Sequence, residues 1–232
     1  NQKLFVAYYR RTMPRFLKAK ELLDTGAIGQ LTGITYRLAW PIPANADPAK
    51  NAWRVSAENA GGGLLLDVGS HLLDFLDFCV GPLEAVHGQA ARLATAADVE
   101  DAVTITFRTA RGVPGAASWN FSSQVKEDRL EFYGTKGRVS FVVFDETPVR
   151  LETTSGTEEF AIANPPHVAQ PLIQTIIDEL LGRGTCPSTG ESARRTQRVM
   201  DRVLSDYYGG REDKFWTRPA TWPGRSSGNV PV

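Results

Sequence analysis

The sequence predicts an α+β domain: an open, mostly antiparallel sheet of about six strands with helices packed on one face. Three observations predict it. Most of the chain from Ala85 to Ile162 reads in period two, an apolar stretch with helical spacing runs from Leu64 to Phe78 before it, and two further helical segments follow it. Short turns between successive strands favour antiparallel pairing with one face on a core.

In order, Leu4 to Tyr9 reads as a strand. Pro14 to Asp24 reads as a helix, with Phe16, Ala19, Leu22 and Leu23 on one side and Lys18, Lys20 and Glu21 toward water; Gly26 and Gly29 close it. Ile34, Tyr36, Leu38 and Trp40 alternate with Thr35, Arg37 and Ala39, so a half-buried strand follows. Pro41 to Asn59 carries three prolines and little periodicity, and is long enough to be a functional loop over a site. The strand candidates after the apolar helix are Ala85 to Leu93, Ala102 to Arg108, Ala116 to Ser122, Arg129 to Tyr133, Val139 to Val143, Val149 to Thr153 and Glu159 to Ile162. Ala110-Arg111-Gly112 and Gly134-Thr135-Lys136-Gly137 read as hairpin turns. Val168 to Leu181 and Ser192 to Tyr208 are the closing helices, and Ser188-x-x-Glu191 reads as a capping box for the second. The tail from Gly209 to Val232 is polar and proline-containing, a surface segment with Trp216 and Trp222 as anchors. Residues 1–208 form the domain and residues 209–232 the tail.

Composition narrows the partners. Lys plus Arg equals Asp plus Glu at 26 each, so no net field recruits nucleic acid or an anionic membrane. Cys79 and Cys186 form neither a CxxC motif nor a disulfide framework, which fits a reducing compartment, and no apolar run reaches membrane-spanning length. The cytoplasm is the expected location.

The chemistry concentrates in Gly61-Gly62-Gly63-Leu64-Leu65-Leu66-Asp67-Val68-Gly69-Ser70-His71-Leu72-Leu73-Asp74. Flexible glycines feed a helix that is apolar around most of its circumference. Asp67 and His71, four residues apart, share one face, and Asp74 continues it. Polar groups in such a helix are tolerated when paired with each other or with a ligand. An unperturbed imidazole titrates near operating pH, so His71 suits acid/base work with Asp67 orienting it; a satisfied core histidine is the plain alternative. As metal ligands, Asp67, His71 and Asp74 lack a second cluster, so no metal is expected.

The pattern GGGxLxDxGxHxxD resembles the substrate-domain signature of the Gfo/Idh/MocA family of nicotinamide-dependent oxidoreductases. Val6-Ala7-Tyr8-Tyr9-Arg10-Arg11, Gly26-Ala27-Ile28-Gly29, Trp53-Arg54 and Tyr133-Gly134-Thr135-Lys136-Gly137 extend the resemblance in the right order over most of the chain. It implies a fold like the C-terminal domain of glyceraldehyde-3-phosphate dehydrogenase, hydride transfer on a sugar, cyclic polyol or related secondary alcohol, and homo-oligomers formed through the sheet. It also implies catalytic roles for His71 and Asp67, and substrate contacts from Tyr9, Arg10, Trp53 and Val68. For Arg10 a surface salt bridge is the alternative, and for Trp53 a buried anchor of the loop. Asp74 reads as structural, capping a turn or bonding to His71. The family's GxGxxG fingerprint and Glu-Lys-Pro motif have no match in the sequence. The expectation is therefore a substrate and oligomerisation domain whose Rossmann partner, roughly 120 residues, is missing. NAD or NADP would bind in the full-length protein and not to this chain alone. A non-catalytic sugar-binding or assembly module is the alternative function.

Overall fold

The computed structural model describes residues 2–40 and 52–226. Among them one sheet holds eight strands: β1 (Leu31–Ala39), β2 (Leu83–Ala91), β3 (Ala102–Thr109), β4 (Pro114–Asn120), β5 (Glu127–Gly134), β6 (Gly137–Phe141), β7 (Val149–Thr153) and β8 (Gly156–Phe160). Their spatial order is β2-β3-β4-β1-β5-β6-β7-β8. The sheet is wider than the expected six strands. The pair β1–β4 is parallel, with Tyr36 opposite Ala117, and the other neighbours are antiparallel. A parallel pair requires a long crossover, here supplied by the helices and by β2 and β3.

The helices are α1 (Pro14–Asp24), α2 (Ser70–Val80), α3 (Gln170–Leu180) and α4 (Gly190–Tyr208). Phe16 and Ala19 of α1, Leu72 and Phe75 of α2, and Val203 and Leu204 of α4 meet Ile34, Leu38, Ile105, Leu130 and Phe132 of the sheet in one core. Phe16, Phe75 and Phe141 pack edge to face at 4.9, 5.3 and 5.9 Å. Each such ring contributes about 1.5–3 kcal/mol by leaving water. On the sheet's other face Thr104, Thr106 and Arg108 are exposed. That face also carries a charge network in which Glu131 accepts from Arg129 and Arg138, and Arg138 also bonds Glu152. No helix among the described residues is long and apolar enough to cross a membrane.

Several expectations are corrected. Leu4 to Tyr9 forms no strand within this sheet: its backbone bonds the 188–190 segment through a single Phe5–Thr189 bridge, and Tyr9–Thr12 is a 3-10 turn. The last strand begins at Gly156, whose φ of +134° closes a tight turn after Thr153. Its polar sequence, Gly-Thr-Glu-Glu-Phe, suits an edge and hides the strand from hydrophobic periodicity. The cap of α4 is Thr189, one residue later than expected, in a reciprocal box with Ser192. The predicted loop from Pro41 to Asn59 lies outside the described residues up to 51. The rest of it forms a 3-10 turn at Ala52–Val55 and a short helix at Ala57–Ala60. After α4, Phe215 and Trp222 are buried anchors against Tyr208, while Trp216 is half-buried.

Candidate active site

The glycine run is clamped on both sides. Gly61 ends the short helix at φ +80°, and its carbonyl accepts from Arg211 Nη2 at 2.7 Å. Gly63 N–H donates to Glu100 Oε2 at 3.0 Å, and a side chain on Gly63 would collide with the Glu100 backbone carbonyl. Only glycine fits that approach. The chain then makes one π-helical turn, Leu65–Gly69, before α2 begins at Ser70. A π turn bonds i to i+5, so the i,i+4 face expected to join Asp67 to His71 is not preserved. Asp67 instead forms an ion pair with Arg54 at 3.4 Å.

His71 opens α2 half-buried between two tyrosine rings, Tyr8 at 5.6 Å and Tyr9 at 5.2 Å. Its Nδ1 is buried without a hydrogen-bond partner. Burial, and then the nearby Arg10 charge, lower its pKa to about 3. The expectation of an imidazole titrating near neutrality is therefore corrected. His71 is neutral at physiological pH, offering one N–H and one lone pair.

Arg10 and Arg11 leave the 3-10 turn in different directions. Arg11 Nε and Nη2 donate to the two oxygens of Asp74 at 2.7 and 2.8 Å, and Nη2 also reaches Asp77 at 3.0 Å. Asp74 is thus structural, as expected, but its partner is Arg11 and not His71. Burial lifts the Asp74 carboxyl to about 6, with the Arg11 bonds opposing that rise. Arg10 is 5% exposed, so the surface salt bridge considered for it does not exist. Its guanidinium lies 4.5 Å from the Phe144 ring and 5.1 Å from that of Tyr9, with Nε and Nη1 unpartnered.

The remaining expected contacts separate into two groups. Tyr9, Arg10 and His71 come together. Trp53 is 52% exposed, with the Arg54 guanidinium 5.5 Å from its ring, so it is not a buried anchor and belongs to the Arg54–Asp67 group. Val68 sits on the π turn, half-buried against the core. Sequence reasoning missed Glu100 and Arg211, which hold the glycines. It also missed Arg15, Tyr36 and Asp128 as polar neighbours of Arg10. The available signal was a tyrosine on the apolar side of an alternating strand.

Among the described residues no cluster of three or more His, Cys, Asp or Glu is placed to hold a metal. A dinucleotide needs backbone N–H groups of a glycine-rich turn between a strand and a helix. The described helix that follows directly on a strand, α3, is entered through residues 161–169, which contain no glycine, so these residues do not fit that group.

Residues 16–140 match the GFO/IDH/MocA C-terminal domain. The chain is 27% identical over 202 residues to oxidoreductase P35 of Formosa agariphila, covering 87% of this chain and 62% of that protein. It is 30% identical over 161 residues to levoglucosan dehydrogenase of Pseudarthrobacter phenanthrenivorans, covering 57% of this chain and 40% of that one. Its fold superposes on an oxidoreductase from Agrobacterium radiobacter solved with NAD+, L-tartaric acid and magnesium, with TM-score 0.73 and 15% identity, over 88% of this chain and 62% of that one. The chain therefore spans less than two thirds of the length of these relatives. The domain match covers more than half of the sequence, and the chain belongs to the GFO/IDH/MocA family, whose C-terminal domain it carries.

Proposed function

We propose that this chain forms the substrate half of a nicotinamide-dependent dehydrogenase acting on a secondary alcohol of a sugar or polyol, and that it does not turn over alone. The observation that carries this reading is His71, neutral and wedged between Tyr8 and Tyr9 at the head of the signature helix, with a buried ring nitrogen unpartnered. The names of relatives support it: they include a levoglucosan dehydrogenase and an inositol 2-dehydrogenase. The nicotinamide, the hydride acceptor in such a reaction, is assigned to a separate nucleotide-binding domain.

The chain's own residues bind and orient the alcohol. The reacting hydroxyl donates to the His71 lone pair, and a proton must leave as the alcohol is oxidised. Tyr9 and Val68 form apolar surface beside it, Arg10 supplies donors, and Asp67, held by Arg54, accepts from a second hydroxyl near Trp53. A proton on His71 is costly because the ring is buried and, second, because the Arg10 cation is near, so it is passed on and not stored. The sheet's open face, with its Arg129–Glu131–Arg138 network, is assigned to assembly with further copies.

The test uses the full-length protein with NAD and NADP and a panel of sugars and polyols. Cofactor reduction is expected, and His71→Ala should lower turnover by about 100-fold or more. Normal turnover in that variant would remove His71 from the chemistry. Absence of any oxidised sugar or polyol would favour the assembly reading instead.

A further inference from the structure

The environment of Arg10 narrows the substrate class. Its guanidinium is 5% exposed, yet among the described residues no carboxylate bonds it, and Nε and Nη1 have no partner there. The rings of Phe144, Tyr9 and Phe16, at 4.5, 5.1 and 5.7 Å, fix the guanidinium in place and offer it no acceptor oxygen except the Tyr9 hydroxyl. A second guanidinium, Arg15, is 1% exposed; its Nη1 donates to the Val142 carbonyl, and its Nε is also unpartnered. The carboxylate coupled to both is Asp128, whose Oδ2 already accepts from Phe144 N at 2.7 Å. Tyr36 Oη, His71 Nδ1 and the second Asp128 oxygen, Oδ1, add three more buried groups without a hydrogen-bond partner among the described residues.

Buried charges are retained when paired, and an unpaired one is among the costliest features a core can hold. This cluster is rich in donors and carries an excess of one buried positive charge, two guanidiniums against the Asp128 carboxylate; Asp145 and Glu146, which also act on Arg15, are exposed to water, and Asp145 is paired with Lys126. A neutral hydroxyl would satisfy a donor but leave that charge. A phosphate dianion would overshoot it and face Asp128. A carboxylate matches both the charge and the two-donor edge of the guanidinium.

We propose that the substrate of this site is an acidic sugar, with its carboxylate seated on Arg10. The proposal rests on the dehydrogenase reading above and deepens it. Burial is the larger cause of the low basicity of His71 and stays in place; the seated carboxylate offsets only the second, the Arg10 charge.

The experiment compares kcat/KM of the full-length enzyme for D-glucuronate against D-glucose and D-galacturonate against D-galactose, with D-glucose 6-phosphate as the competing anion. The uronate is expected to be favoured by about 100-fold in at least one pair. Arg10→Gln should bring that ratio below about 5, with Arg10→Lys intermediate. Should Arg10→Gln fail to fold, a tenfold fall in Arg10→Lys stands in for it. Parity in both pairs, preference for the phosphate, or a ratio unmoved by either variant overturns the proposal, and the dehydrogenase reading survives if the neutral hexoses are oxidised. If no sugar is oxidised, calorimetric titration with the two uronates decides. Saturable binding lost in the Arg10 variants sustains the carboxylate seat without the reaction, and no binding removes both.

Discussion

Arg10 and Arg11 are neighbours in sequence, leave the same 3-10 turn, and are 5% and 4% exposed. They do opposite things. Arg11 is saturated: it donates to both carboxylate oxygens and the backbone carbonyl of Asp74, to Asp77 and to the Pro187 carbonyl, while Asp77 is also gripped by Arg195 at 2.7 and 2.8 Å. This network ties the N-terminal turn to α2 and α4. Arg10 meets aromatic faces and like charge, with part of its fork unused. Residue type and burial do not separate a structural arginine from one that awaits a ligand. The list of partners does.

The sharpest way to break this comparison is to replace each arginine by methionine and measure urea unfolding. Arg11→Met strands Asp74 in the core and removes one of the two cations on Asp77, so a loss of about 3–5 kcal/mol is expected. Arg10→Met breaks no bonded ion pair, leaves Asp128 with Arg15 and relieves the repulsion between the two guanidiniums, so neutral or increased stability is expected. Equal losses at the two positions would mean that Arg10 is structural as well.

How far the sequence foretold this contrast depends on the range of the interaction. Periodicity placed α1 at its observed ends and put Ile34, Tyr36 and Leu38 on the core face of β1, because alternation and capping are local. The family resemblance, not spacing, implied that His71 and Tyr9 both serve the substrate, and the structure puts their rings 5.2 Å apart. Three features escaped. The π turn moved Asp67 onto Arg54, and an inserted backbone turn leaves no mark on side-chain periodicity. The Arg11–Asp74 pairing joins residues 63 positions apart, and nothing near either one announces the other. The depressed basicity of His71 depends on burial and on Arg10, both products of tertiary packing.

A second prediction sharpens the unsaturated side through pH. His71 is held at about 3 against 6.5 for a free imidazole, so the unfolded chain takes up a proton first as pH falls. Its contribution to stability is complete above pH 6.5 and is lost as pH falls toward 3. Asp74, raised from 3.8 to about 6, has the opposite sign: its contribution is present below pH 3.8 and lost as pH rises through 6. Comparing wild type with His71→Gln cancels Asp74, which both contain. The stability difference between them should shift against wild type by about 1–3 kcal/mol between pH 7.5 and 4.5. A difference independent of pH would place His71 in an unperturbed, solvated setting.

The smallest expected effect tests how complete the saturated side is. Thr196 Oγ1, on α4, donates to Asp74 Oδ1 at 3.5 Å, the limit of hydrogen-bond geometry, whereas the Arg11 bonds to the same carboxylate are 2.7 and 2.8 Å. If the guanidinium alone satisfies Asp74, the hydroxyl is an accessory, and Thr196→Val, which keeps the shape, should cost less than about 1 kcal/mol in urea unfolding. A loss approaching that of Arg11→Met would show that a buried carboxylate with a bidentate cation still requires its third donor. The unpartnered donors around Arg10 would then be a heavier burden on the fold than charge alone implies, and the demand for an anionic occupant correspondingly stronger.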